Sequence, residues 1–169
     1  LLSGAQVAIP EYDTLDAVDL AALVRSRELS AREVVEEAIR RAEAVNPTLN
    51  FIAHRAYDEA LARADSPDLP LGPLAGVPWL VKELATAWAG QPWTNALPWM
   101  REVVAPFDSL TLSRIKAAGM IPFAKSTSPE NGWMLATESS MFGVTRNPWD
   151  PARTPGGSSG RSGLSARAS

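Results

Sequence analysis

Two short apolar runs, each ending on a lysine, constrain this chain's fold most. The first is Ala75-Gly76-Val77-Pro78-Trp79-Leu80-Val81-Lys82-Glu83, and the second is Met120 to Ala124, followed by Lys125. Each has the length of a buried strand rather than of a helix. Between them Leu112, Ile115 and Ala118 recur at helical spacing, with Asp108 as the expected cap and Gly119 as the stop. Strand, helix, strand is the order of a crossover that joins parallel strands. In the first run a period of two puts Val77, Trp79 and Val81 on one face, with Leu80 and Lys82 on the other. The segment 84–107 carries Trp88, Trp93 and Trp99 among Pro, Gly and Asn. It is long for a connector, and its rings either wall a pocket or cover the core.

The preceding residues read as helices. After an irregular lead-in over 1–13, Asp16 caps a helix with the stripe Ala17, Leu20, Ala21 and Val24, which stops near Glu28. Ser30, with Glu33 three residues on, forms a capping box for a second helix, whose apolar face is Val34, Val35, Ala38, Ile39, Ala42 and Val45. Asn46-Pro47 is predicted to end it. Leu49 to Ala53 reads as a short strand and Tyr57 to Ala64 as a short helix, before a Pro/Asp-rich loop over 65–73. Ser128-Pro129-Glu130 is expected to start another short helix. From Glu138 onward no regular period is visible.

Several function classes are disfavoured. A net charge of −3 without long single-sign blocks speaks against a nucleic-acid surface or a polybasic membrane anchor. No stretch is long and apolar enough to span a bilayer, and residues 1–30 lack the layout of a signal peptide, so a soluble, cytoplasmic protein is expected. Absence of cysteine removes thiol nucleophiles and thiolate metal sites. The single histidine, His54, reads as a surface or satisfied core residue, and no metal or cofactor is expected. Any nucleophile therefore needs a base other than imidazole. Only Lys82, Lys116 and Lys125 of the 16 basic residues are lysines. Lysine, unlike arginine, can become a neutral base when desolvated. Lys82 is open to that role, whereas Lys125 is expected merely to snorkel from a strand end to water.

The polar tract Pro155-Gly156-Gly157-Ser158-Ser159-Gly160 combines a backbone that allows close approach with hydroxyls that donate, accept or attack. Alone it reads as a flexible linker or loop more readily than as a site. It is preceded in order by Gly72-Pro73-Leu74-Ala75-Gly76-Val77-Pro78 with Lys82-Glu83, by Lys125-Ser126-Thr127-Ser128-Pro129-Glu130, and by Gly143-Val144-Thr145-Arg146-Asn147-Pro148-Trp149. Together these motifs resemble the amidase signature family, from about residue 14 to Gly160, and within it bacterial amidases of the 6-aminohexanoate cyclic-dimer hydrolase type.

The resemblance implies an α/β fold, a mixed sheet flanked by helices, with residues 1–169 forming the N-terminal part of a single amidase domain that is incomplete at its C-terminus. It implies hydrolysis of a carboxylic amide by a Ser–cis-Ser–Lys mechanism. Lys82 takes the place of the family's lysine and Ser158 that of its bridging serine, with the Gly157–Ser158 peptide cis and Ser159 in support. The family's acyl-accepting serine belongs to a later Gly-Gly-Ser motif, beyond Ser169. The tail 161–169, with Arg161 and Arg167, departs from the family's small-residue helix, and Ser162, Ser165 and Ser169 stand in no matching motif. The chain is thus expected to be an inactive fragment of an active parent, which acts on a small-molecule amide and admits a homodimer. The alternatives are the amide-hydrolysing subunit of a tRNA-dependent amidotransferase and a non-catalytic remnant of the fold.

Overall fold

The computed structural model describes Ile9 and residues 12–159. Helix α1 (Ala17–Ser26) and helix α2 (Ala31–Leu49) both begin in complete capping boxes. The Asp16 carboxylate accepts from Val18 N and Asp19 N, and the Ser30 hydroxyl accepts from Glu33 N. The α2 helix runs through Pro47 rather than ending before it. Proline this near a C-terminus removes one hydrogen bond without stopping the last turn. Asn46 organises the exit instead, its side-chain oxygen accepting from Phe51 N and Ile52 N while its carbonyl accepts from Asn50 N. Asn50 turns left-handed at φ 52°, so strand β1 starts later than the sequence pattern implies, at Ile52–Arg55.

Helix α3 (Tyr57–Ala64) coincides with its predicted span. Strands β2 (Pro78–Lys82) and β3 (Ile121–Ser126) pair in parallel, joined through helix α4 (Leu110–Ala117), and β1 pairs antiparallel to β3. The sheet is therefore mixed, in the order β1-β3-β2. Ser109, not Asp108, caps α4. The Asp108 carboxylate is taken by Ala89 N at 2.8 Å and Lys116 Nζ at 2.8 Å.

The core has two sides. On one, Val35, Ile39 and Ala42 of α2 and Ala60 of α3 meet Ile52, Ile121, Phe123 and Ala124, with Leu80 packed against them. On the other, Val81 packs with Ala56, Trp88 and Leu112, while Val77 joins Leu20, Ala21, Val34 and Met120. Trp88 is a core residue whose Nε1 donates to Glu59 at 3.1 Å, whereas Trp99 is exposed. The expected helix at 128–130 is a single 3-10 turn, Glu130–Gly132. Beyond it lies a small hairpin that sequence periodicity does not show, β4 (Glu138–Ser139) with β5 (Gly143–Val144).

Candidate active site

Lys82 is the last residue of β2, next to Ser126 of β3 across the ladder. Its half-buried amine lies 2.8 Å from Ser158 Oγ and 3.0 Å from Ser159 Oγ. Residues 76 positions apart in sequence are thus brought to hydrogen-bond distance. A lysine nitrogen and two hydroxyl oxygens in contact form a path along which a proton can move.

The polar tract is held by local contacts. Thr137 Oγ1 donates to Gly156 O at 2.8 Å, and Gly156 N donates to Thr154 Oγ1. The Gly157–Ser158 peptide is cis. Gly157 rests directly on the 134–136 backbone: an added Cβ would lie 2.8 Å from Leu135 C and 2.9 Å from both Ala136 N and Met134 O. Only glycine fits there. The motif around Thr145 anchors the preceding loop to the sheet, for its hydroxyl meets that of Thr127 at 2.7 Å and Asn50 O at 2.8 Å.

Lys125 corrects the expectation that it snorkels. It is fully buried, its Nζ donates to Pro92 O at 2.6 Å, and it stands 3.9 Å from Glu83 Oε1. Burial lowers its pKa, and the Glu83 carboxylate opposes that shift. Glu83, also fully buried, accepts from Thr94 N, Thr94 Oγ1 and Asn95 N through Oε1 and from Ala96 N through Oε2. Sequence reasoning missed this network. Its one visible signal was an acidic residue directly after Lys82 in an apolar run.

His54 is half-buried. Its ring packs edge-on against Phe142 with centroids 5.3 Å apart, and its buried Nε2 has no hydrogen-bond partner. Burial pulls its pKa down. Among the described residues no three His, Asp or Glu side chains converge on a metal-sized site, and no helix is long and apolar enough to cross a membrane. Ser162, Ser165 and Ser169 lie outside the described residues.

The family model for amidases matches residues 33–166, which takes in all four motifs. The chain belongs to the amidase family. A 6-aminohexanoate-cyclic-dimer hydrolase of Paenarthrobacter ureafaciens is 39% identical over 155 residues, covering 90% of this chain and 31% of that protein. A glutamyl-tRNA(Gln) amidotransferase subunit of Acidothermus cellulolyticus is 38% identical over 158 residues, again covering 90% of this chain and 31% of that protein. A solved structure of a 6-aminohexanoate cyclic dimer hydrolase superposes with a TM-score of 0.85 at 37% identity, over 92% of this chain and 32% of that one. The chain spans about a third of the length of the relatives it matches.

Proposed function

We propose that this chain carries the proton-relay half of an amide-hydrolysing site, with Lys82 as general base and Ser158 as bridge. The 2.8 Å contact between Lys82 Nζ and Ser158 Oγ carries the reading. In the neutral form the amine takes the Ser158 proton while Ser158 takes a proton from the attacking hydroxyl, which bonds to the amide carbonyl carbon. Collapse of the tetrahedral adduct breaks the C–N bond, and the relay returns the proton to the leaving amine. Water then cleaves the acyl ester by the same route. The attacking serine and its oxyanion donors are assigned to a Gly-Gly-Ser segment outside residues 1–169, so these residues alone are inactive. Ser159, in contact with the same amine, supports its orientation.

The substrate is a linear or cyclic carboxylic amide. The match to a glutamyl-tRNA(Gln) amidotransferase, at nearly the same identity, favours a second reading in which the amide is glutamine and partner subunits use the ammonia. Ammonia release from glutamine only in the presence of partners would select it.

The test is amide hydrolysis by the whole protein that contains this chain, assayed with a chromogenic anilide and a small aliphatic amide. Lys82→Ala and Lys82→Arg are expected to lower kcat by about 10²–10⁴-fold, the range for loss of a positioned acid–base group. Arginine keeps the charge but cannot act as a neutral base. Rates within a few fold of the unmodified protein would overturn the assignment.

A further inference from the structure

We propose that Glu83, with Lys125 as its buried counter-charge, is a positioning residue that holds both Lys82 and the Ser158 tract in place. The inference rests on the reading of Lys82 as the base and adds a part to it. Glu83 directly follows Lys82, and its backbone N donates to Ser126 O at 3.1 Å, which extends the β2–β3 pairing past the lysine. Its carboxylate then reaches away from the ladder into the 92–96 loop, accepting three backbone N–H groups and the Thr94 hydroxyl. Asn95 and Ala96 both take left-handed backbone, at φ 51° and 58°, and both aim their N–H groups at the carboxylate. Without an anion inside it, a buried loop of this shape would leave those donors unmatched.

The loop passes the constraint on. The Asn95 side chain accepts from Ala85 N at 3.0 Å, and the Asn95 carbonyl accepts from Asn131 N at 2.9 Å. Asn131 precedes Gly132, which sits so close to Leu84 that an added Cβ would lie 2.5 Å from Leu84 Cδ2. Two residues further on begins the 134–136 backbone on which Gly157 rests. One buried carboxylate thereby ties the strand end bearing Lys82 to the surface that supports Ser158. Lys125 closes the arrangement from β3, since it both neutralises Glu83 and holds the Pro92 carbonyl at the start of the loop.

A pair present only for folding would behave differently. Replacing a buried ion pair by apolar residues of similar size is often tolerated, whereas removing one partner leaves a buried uncompensated charge. The experiment compares Glu83→Gln, the double variant Glu83→Leu with Lys125→Met, and the milder Thr94→Val, all in the whole protein. Lys82→Ala runs in parallel, and melting temperature, kcat, KM and the pH profile of kcat/KM are measured. Positioning predicts that the double variant, where it melts cooperatively, loses about 10²-fold in kcat, with KM within about threefold, because displacing a catalytic group by an ångström costs about that much. Thr94→Val, which removes one of four donors, is expected to lose about tenfold.

Among the described residues, Lys125 stands 3.9 Å from the Glu83 carboxylate, and the His54 ring lies within reach of its charge. In Glu83→Gln the anion next to the strand end is gone, which favours the neutral amine at Lys82. The acid limb of kcat/KM is therefore expected to move to lower pH, a change that mere loss of folded protein cannot produce. Folded double and Thr94→Val variants with kcat within threefold of the unmodified protein would overturn the proposal, provided Lys82→Ala is inactive. Should Thr94→Val alone fold, an unchanged kcat in it would do the same. An active Lys82→Ala protein would instead overturn the reading of the base.

Discussion

Lys82 ends β2 and Lys125 stands one residue before the end of the parallel β3, each after a similar apolar run, yet their surroundings are opposite. Lys82 is half-buried among hydroxyls, and Lys125 is sealed beside a carboxylate and a carbonyl. Alternation along β2 was enough to put Lys82 on the face away from Val81. Nothing local marks Lys125 as buried, because its partners, Pro92 and Glu83, lie far earlier in the chain. Gly157 is another position where one atom decides. Alanine there would press its Cβ into backbone at 2.8–2.9 Å, which a flexible side chain cannot relieve. Gly157→Ala is expected to cost about 1–3 kcal/mol, as overpacking usually does, and to move Ser158 off the Lys82 amine. Thermal melting combined with hydrolysis rates checks both effects. His54 gives a pH-dependent prediction. Its folded-state pKa lies below the ordinary histidine value of 6.5 because burial disfavours the cation. As pH falls below that value the unfolded chain takes up the proton first, so stability declines. His54→Leu should flatten this part of a stability-against-pH curve, and an unchanged slope would show that the ring titrates as freely as in the unfolded chain.

At the scale of elements, legibility followed locality. The Asp16 cap, the Ser30–Glu33 capping box and the span of α3 were readable because their determinants lie within a few residues of one another. The end of α2 and the start of β1 were not, since Asn46 satisfies donors on the far side of the turn and so lets the helix run past a proline. The β4–β5 hairpin escaped for a similar reason: two-residue strands carry no period. It is instead fixed from outside, where the Asn50 side chain donates to Phe142 O and Val144 O, and Thr145 meets Thr127. Ser30→Ala should cost about 1 kcal/mol through loss of the α2 cap. Thr145→Val removes two buried hydroxyl contacts at once and leaves Thr127 unmatched, so about 1–3 kcal/mol is expected. Denaturant melts of the two variants would rank them, and a larger effect at Ser30 would mean that the hairpin is anchored elsewhere.

At the scale of the whole molecule, the proposed function leads to the expectation that these residues alone fall short of the family's chemistry. A base and a bridging hydroxyl move a proton only when a nucleophile and oxyanion donors receive the carbonyl. The relatives are about three times as long, and the proposed function assigns those groups to a segment outside the four motifs. The structure also leaves Trp133 and Leu135 at 84% and 87% exposure, on the segment whose backbone supports Gly157. Exposed apolar side chains of this size offer a binding surface for apolar probes. Residues 1–169 alone are therefore expected to hydrolyse neither a chromogenic anilide nor a small aliphatic amide above the uncatalysed rate, and to bind an apolar dye strongly. Trp133→Ser with Leu135→Ser should reduce the dye signal without restoring turnover. Hydrolysis by the isolated 169 residues that Lys82→Ala abolishes would show that they hold a nucleophile after all, and would move the search to the serines that follow Gly160.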